Sequence, residues 1–215
     1  MGTARRCVPR LRPLLAAAVT VLTVVRAAAA TEGAWQRVGD RDGVAIETRA
    51  LPGTSQREVR ATAHAAVPPA TVVAVLWDHR AYPQFVPHVR SLDVLRDDGD
   101  TRLIYERIGM PVVKDRDVTL RVTRTFDAAS GVWEIVSDAA PDAGPPVARG
   151  YVRVQNSHSV WRLVPANGGT DVSYDIRTDA GGLLPGWIVA GAQKDGAAHF
   201  VRAVLDRARQ SHSKD

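Results

Sequence analysis

Cysteine is almost absent from this sequence: of its 215 residues, only Cys7 carries a thiol. Cys7 lies in an N-terminal segment that we expect the cell to remove. Without it the chain has no disulfide, no thiolate nucleophile and no cysteine-ligated metal. The histidines do not replace these ligands, because no metal-binding spacing joins His64, His79, His88, His158 and His199. We therefore predict no metal site and no cofactor.

Long hydrophobic runs are also missing. The most apolar stretch covers residues 14–25, which is twelve residues where a membrane-spanning helix needs about 20. Small residues follow it, and four arginines precede it: Arg5, Arg6, Arg10 and Arg12. This is the pattern of a secretory signal peptide. We predict a signal peptide over residues 1–30, cleaved after Ala30, and an exported protein that is periplasmic or secreted. The alternative is an uncleaved anchor.

Net positive charge is absent once that segment is removed. The whole chain has 28 Lys and Arg residues against 23 Asp and Glu residues. Five of the arginines and none of the acids lie in residues 1–30, so removing them leaves 23 basic residues against 23 acidic ones. A chain without net charge lacks the electrostatic footprint of a nucleic-acid-binding protein. We predict one domain over residues 31–212, with no nucleic-acid partner.

Sequence motifs of catalysis are missing as well. The chain has neither the G-x-S-x-G turn of serine hydrolases nor a glycine-rich phosphate loop. Ser157 and His158 are neighbours on a predicted strand and therefore point to opposite faces. Asp115 and Asp117 share one strand face, which suits acid–base catalysis or a solvated ion-pair cluster with Arg116, and we favour the cluster. We assign no catalytic residue.

Alternation of apolar and polar residues, in contrast, is abundant, and it indicates half-buried strands. It predicts two strands near residues 43–50 and 57–67, followed by a short helical region near 68–80. Further strands are predicted at 89–96, 101–109, 116–127, 131–138, 149–165 and 170–179. One amphipathic helix of about 25 residues ends the chain. This order predicts an α+β fold in which a curved antiparallel sheet wraps around a long C-terminal helix, with short helices after the second strand.

The dipeptide Asn167-Gly168 is a strong turn signal. If it forms a two-residue type I′ turn, Trp161 and Tyr174 face each other on one side of the sheet. An aromatic pair of this kind contributes up to about 1 kcal/mol. The strand before the turn mixes polar and apolar residues on both faces, which fits either the wall of a ligand cavity or a half-solvated edge strand.

The C-terminal helix has small residues on its apolar side. Its apolar stripe consists of Val189, Gln193, Gly196 or Ala197, Phe200, Val204 and Ala208. Gly191 and Gly196 each lower helix stability by roughly 1 kcal/mol relative to alanine. Small residues here either leave volume beneath the helix or let it pack closely on the sheet. Trp187, near the beginning of the helix, either makes transient membrane contact or packs locally at the helix N-terminus.

Two prolines break the segment "AYPQFVPHV" that joins the short helix to the next strand. This segment carries Tyr82, Phe85 and Val86, and its prolines exclude a long helix. The three side chains form either a buried corner between helix and strand or the mouth of a cavity.

Together, "YPQFVPHV", "KDRDVTLRV", "GYVRVQNSHSVWRLVP" and the helix after "DAGGLLPGWI" resemble a START domain, the helix-grip fold of the SRPBCC superfamily. The resemblance covers roughly residues 35–210. It implies a deep cavity between the sheet and the C-terminal helix that holds one apolar ligand. In sterol-binding members, a strand carboxylate and an arginine of the neighbouring strand anchor the ligand. Glu106 corresponds to the carboxylate, but Val122 occupies the arginine register, so a sterol anchor is not expected.

The resemblance implies a non-enzymatic carrier of a hydrophobic ligand such as a phospholipid, a quinone or another isoprenoid. The expected cavity and lid residues are Tyr82, Phe85, Val86, Tyr105, Glu106, Trp161, Tyr174, Trp187, Gly196 and Phe200. The loop at 139–149 or the glycine-containing helix would open to release the ligand.

Two other functions remain open at this point. A polyketide cyclase or aromatase of the same superfamily would use the same cavity, and it requires Tyr105, Glu106 or Tyr174 to point inward. An adaptor that binds another exported protein through a sheet edge requires, instead, a cavity filled by side chains.

Overall fold

The computed structural model of the chain describes Gly2 and residues 33–54, 56–110, 113–179 and 186–213; of residues 186–190, 192 and 193 it describes the backbone alone. Apart from Gly2, the predicted signal peptide and its cleavage site therefore lie outside the described residues. The helices and strands follow one another as β1 (Gln36–Arg41), β2 (Val44–Ala50), β3 (Arg57–Ala65), α1 (Pro69–Trp77), α2 (Tyr82–Phe85), β4 (Val89–Asp97), β5 (Thr101–Ile108), β6 (Asp115–Asp127), β7 (Val132–Ala139), β8 (Tyr151–Arg153), β9 (Asn156–Ala166), β10 (Gly169–Asp179) and α3 (Gly186–His212).

The strands in the described part of the chain form one ten-stranded sheet. Nine of them lie in the order β1-β2-β3-β10-β9-β7-β6-β5-β4 with antiparallel neighbours, and β8 pairs with β6 in parallel. The sheet curves around α3, which packs against β2, β3 and β10 and against α1. The predicted fold class is confirmed.

One strand was not predicted. The sequence of β1, "QRVGDR", has no apolar alternation, and every residue of it is exposed. It forms a strand because it pairs with β2, which is buried on one side. The short helices consequently follow the third strand of the chain rather than the second.

Proline positions determine the helical segment between β3 and β4. Pro69 occupies the first turn of α1, where backbone N–H groups have no acceptor within the helix, so the missing N–H of proline costs no hydrogen bond. The buried residues of α1 are Val72, Val73, Val75, Leu76 and Trp77. A turn of 3-10 helix at His79–Ala81 leads into α2, which has Pro83 in its own first turn.

The predicted strand at 149–165 is broken into β8 and β9. Val154 does not continue a single strand through to β9. Its N–H donates instead to the carbonyl of Asp117, at 2.9 Å. β8 therefore pairs with β6, whereas β9 pairs with β7 and β10. Because of this break, Arg153 and Ser157 lie on opposite sides of the sheet, although two-residue alternation would put them on the same side.

The hairpin between β9 and β10 has the predicted register. Asn167 and Gly168 both have positive φ angles, 49° and 74°, as a type I′ turn requires. Trp161 pairs with Tyr174, and their rings are stacked with centroids 4.5 Å apart.

The C-terminal helix α3 spans 27 residues, close to the predicted length. Its described buried residues are Ala197, Ala198, Val201, Val204, Leu205 and Ala208. The predicted stripe included Ala197, Val204 and Ala208, while the side chains of Val189 and Gln193 lie outside the described residues. This stripe packs on the concave side of the sheet and joins the hydrophobic core.

Candidate functional site

A cavity of about 310 Å³ lies between the concave face of the sheet and α3. This volume is at the lower end of the range of small-molecule pockets. Strands and helices both contribute to its apolar wall. This wall includes Leu76, Val86, Ile104, Val118, Leu120, Val122, Trp161, Ile176, Ala197 and Phe200. A void under the C-terminal helix therefore exists, as a carrier requires and an adaptor does not.

Four aromatic side chains enclose one part of the cavity. The Phe200 ring meets Trp161 and Tyr174 edge-on, with centroid distances of 5.2 and 5.4 Å. Tyr82 meets Phe200 edge-on at 5.7 Å, and its hydroxyl donates to the carbonyl of Leu76 at 2.8 Å. These contacts join α2, α3, β9 and β10 through side chains that all line the cavity.

Glu106 brings a carboxyl group into this apolar space. It lies on β5 opposite Val118, and both side chains line the cavity. No described side chain donates a hydrogen bond to it, and burial raises its pKa from 4.5 to about 7. The carboxyl group is therefore partly protonated at neutral pH and has hydrogen-bonding capacity left for a ligand.

Further polar groups cluster on the wall formed by β7, β9 and β10. Ser137, Ser157, Ser159 and Thr178 all line the cavity. Burial raises the pKa of Tyr174 well above its ordinary value, although a hydrogen bond with Ser159 opposes this shift. The Tyr174 hydroxyl is thus neutral at any physiological pH.

Arg116 is a cavity residue that the sequence analysis missed. It is 4 % exposed, lines the cavity from β6, and donates to the carbonyl of Lys114. It pairs with Ile108, so it lies two residues from the partner of Glu106, Val118, on the same face of β6. Arg116 is separated from Val118 and Val122 by even numbers of residues, so the sequence places all three on one face of the strand. A carboxyl group and an arginine therefore line the cavity from neighbouring strands, with the arginine at 116 rather than in the register of Val122.

His79 also lines the cavity without having been predicted. It is 3 % exposed, and its ring lies between Trp77 and Tyr82. Its Nδ1 is 3.4 Å from the Arg102 guanidinium. Burial, followed by the charge of Arg102, lowers the pKa of His79 to about 4, so the imidazole is neutral at physiological pH.

Seven of the ten predicted site residues line the cavity: Tyr82, Val86, Glu106, Trp161, Tyr174, Gly196 and Phe200. Phe85 does not; it packs against Tyr82 and beneath Arg207, on the outer side of α2. Tyr105 does not either, because it is next to Glu106 on β5 and points to the opposite face. The side chain of Trp187 lies outside the described residues.

Tyr105 belongs to a buried cluster on the convex side of the sheet. Its hydroxyl donates to Asp117 at 2.9 Å, and Arg153 donates two hydrogen bonds to the same carboxylate at 2.8 and 3.0 Å. Burial alone would raise the pKa of Asp117, but the hydrogen bonds from Arg153 and Tyr105 outweigh it and lower the pKa. The interpretation of Asp115 and Asp117 as one solvated cluster is wrong for Asp117, which is fully buried.

The same cluster holds the loop at 140–150, which was expected to open. Arg153 donates to the carbonyls of Pro141 and Pro145, at 2.9 and 2.8 Å. Gly144 lies so close to Thr119 that a Cβ atom there would overlap the threonine hydroxyl. These contacts fasten the loop to the outside of the sheet, away from the cavity.

The described residues contain no group of three or more side chains suited to holding a metal ion. They also contain no helix that is long and apolar enough to cross a membrane.

Comparison with known proteins gives a consistent family match. The model of the START domain family matches residues 18–214. An uncharacterized protein of Pseudomonas aeruginosa is 25% identical over 178 residues, covering 82% of this chain and 87% of the relative. The crystal structure of a STAR-related lipid transfer protein fragment from Xanthomonas axonopodis is 26% identical, with a TM-score of 0.75 over 81% of this chain and 98% of that one.

The fold is shared with an enzyme as well. The Zhui aromatase/cyclase from a Streptomyces species matches with a TM-score of 0.53 and 20% identity, over 72% of this chain and 94% of that one. At this identity the similarity concerns the fold alone.

Proposed function

Since the chain belongs to the START domain family, we propose that it is an exported, non-enzymatic carrier that holds one hydrophobic ligand in the cavity under α3. The ligand classes that we propose are phospholipids, quinones and other isoprenoids. The similarity to the Xanthomonas lipid transfer protein supports this function.

The cavity is the observation that carries the proposal. Its walls are mainly apolar, so burying an apolar ligand gains about 25 cal/mol for each Å² removed from water, before the losses of ligand freedom. With about 310 Å³, the cavity holds one compact or single-chain apolar body, and a two-chain phospholipid requires α3 to move outward. Glu106, Arg116 and the serine and tyrosine hydroxyls orient the polar end of the ligand.

Ligand exchange requires part of the wall to open, and α3 is better suited to this than the loop at 140–150. The loop is fastened by Arg153. In α3, Gly191 and Gly196 would have no atom within 4 Å of an added Cβ, and each glycine weakens the helix. We propose that the first half of α3 is the lid, with transient membrane contact through the apolar residues around Trp187.

Export belongs to this proposal, and the intact protein tests it. The full chain, expressed in a Gram-negative host, should be recovered from the periplasmic fraction with a mass that begins at Thr31. Recovery of the uncleaved chain in the membrane fraction would favour the anchor instead.

Vesicle uptake tests the carrier function. The purified protein is incubated with vesicles of phosphatidylethanolamine, phosphatidylglycerol and ubiquinone, separated by gel filtration, and extracted with solvent. We expect one lipid class to be recovered at close to one molecule per chain. Recovery of no lipid above the amount found with a control protein of similar size would contradict the proposal.

A polyketide cyclase or aromatase is the second candidate, because Glu106 and Tyr174 point into the cavity as that function requires. A carboxyl group with a pKa near 7 is suited to general acid–base catalysis at neutral pH. Its test is conversion of a linear poly-β-ketone substrate by the wild-type protein and by Glu106→Gln. Turnover that is lost in the variant would favour the enzyme over the carrier.

A further inference from the structure

In a buried histidine both ring nitrogens ordinarily make hydrogen bonds, whereas only one ring nitrogen of His79 does so within the described part of the chain. The only hydrogen bond of its ring among the described residues joins Nδ1 to Arg102. Since a guanidinium donates and cannot accept, Nδ1 accepts this bond and the proton of the neutral ring is on Nε2. Nε2–H is therefore a donor for which the described residues provide no acceptor.

This donor has access to the cavity. His79 lines the cavity and is only 3 % exposed. Its Nε2 is not among the fully buried side-chain atoms without a partner in the described residues. We infer that Nε2 borders the cavity, since the cavity is the open space that this residue lines. The rings of Trp77 and Tyr82 pack against the His79 ring, with centroid distances of 5.3 and 5.4 Å, and hold it in place.

Glu106 and His79 lie at different places along the cavity. Arg102, which contacts His79, is on β5 four residues before Glu106, and both side chains point to the same side of the strand. At the rise of a strand, the backbone positions of Arg102 and Glu106 are about 13 Å apart. Apolar residues, Ile104 and Leu120 among them, line the cavity between them.

We propose that His79 is a second polar anchor of the cavity, and that the natural ligand is an elongated apolar molecule with a polar group at Glu106 and an oxygen acceptor, such as a carbonyl, at His79. This inference rests on the proposed function, since it names the ligand class of the same cavity. An apolar end at His79 would leave the buried Nε2–H without a partner, which is unfavourable. An acceptor there satisfies it.

Two probes of equal chain length test the proposal. Dodecan-1-ol has one polar end, and 12-hydroxydodecan-2-one has the same hydroxyl with a carbonyl near the other end. Their affinities are measured by calorimetry with the wild-type protein and with His79→Phe, which removes the donor and retains an aromatic ring. We expect the ratio of ketone affinity to alcohol affinity to fall about tenfold in His79→Phe. His79→Gln, which retains a donor, should keep most of the ratio.

The same measurements distinguish a failure of the proposed carrier function from a failure of the inference about His79. If the wild-type protein binds neither probe and takes up no lipid from vesicles, the proposed carrier function fails, and this inference fails with it. If it takes up lipid but binds neither probe, the inference alone is wrong. If both probes bind but the ratio is equal in the wild type and in His79→Phe, the inference alone is wrong. Should His79→Phe not fold, the ¹⁵N shift of His79 Nε2 in the wild type decides. We expect it to change on binding of the ketone and not on binding of the alcohol, and equal shifts would contradict the proposal.

Discussion

Arg153 and Asp117 form a buried ion pair with two parallel hydrogen bonds, at 2.8 and 3.0 Å, across the strands β8 and β6. The Asp117 side chain is fully buried and that of Arg153 is 7 % exposed. The same guanidinium also donates to two carbonyls of the loop at 140–150. One side chain therefore neutralises a buried charge and holds this loop against the sheet.

Arg153→Met should destabilise the fold strongly, because it leaves Asp117 buried without its counter-charge and frees the loop. Breaking a buried pair in this way costs about 3–5 kcal/mol. The matched control is Arg162→Met, since Arg162 and Glu134 form an exposed pair at 3.8 Å, and exposed pairs contribute about 0–1 kcal/mol. Urea unfolding measures both. Equal losses in the two variants would contradict the role given to Arg153.

Glu106 makes stability depend on pH in an unusual direction. Its pKa in the fold, about 7, is above its ordinary 4.5, because burial disfavours the charged form. Between these values the folded chain binds a proton that the unfolded chain has released, so this group lowers stability as pH rises from about 4.5 to 7. The upper limit of the loss is roughly 3 kcal/mol, and water in the cavity reduces it.

The measurement is urea unfolding at several pH values between 5 and 8 for the wild type and Glu106→Gln. The variant should become more stable relative to the wild type as pH rises, since it has no charge to bury. Glu134→Gln, at an exposed position, should follow the wild type throughout. Parallel curves for the wild type and Glu106→Gln would show that Glu106 has an ordinary pKa.

The turn between β9 and β10 gives a third prediction. Gly168 has a φ of 74°, where a side chain costs about 1–2 kcal/mol, although no atom lies within 4 Å of the added Cβ. Gly168→Ala should therefore lower the free energy of unfolding by about 1 kcal/mol. Gly39→Ala is the control, because Gly39 has equal space and no positive φ, and it should not lower stability. A neutral Gly168→Ala would argue against a type I′ turn.

The sequence was sufficient to predict the fold because alternation and turn chemistry act locally. The register of the β9–β10 hairpin follows from Asn167-Gly168, and the pairing of Trp161 with Tyr174 follows from that register. The strand β1 could not be predicted, because its pairing with β2 depends on a neighbour rather than on its own pattern.

The cavity wall was predictable where strands run without a break. Glu106, Trp161 and Tyr174 line it as expected, and the alternation that places Glu106 inside places Tyr105 outside. Arg153 was not predictable, because the break between β8 and β9 reverses the side to which its strand points. His79 could not be found from its neighbours either, because its role depends on Arg102, which is 23 residues away in the chain.

Two glycines of α3 provide a matched test of where the ligand lies. Gly191 and Gly196 both have free space for a Cβ, but only Gly196 lines the cavity. Gly196 is exposed although it lines the cavity, so Gly196→Leu should place its side chain at the border of the cavity and reduce lipid uptake from vesicles at least severalfold. Gly191→Leu should leave uptake close to that of the wild type. Both should raise helix stability, since leucine is a better helix former than glycine by roughly 1 kcal/mol. Equal uptake by the two variants would place the ligand elsewhere.

Native mass spectrometry of the protein purified from a host with ordinary lipids tests the central claim most directly. We expect the wild type and Gly191→Leu to carry one adduct of a single lipid class, released by solvent extraction, and Gly196→Leu to carry much less. A bare mass for the wild type, with no adduct after incubation with phospholipid, quinone or another isoprenoid, would contradict the account of this cavity as the binding site of a hydrophobic ligand.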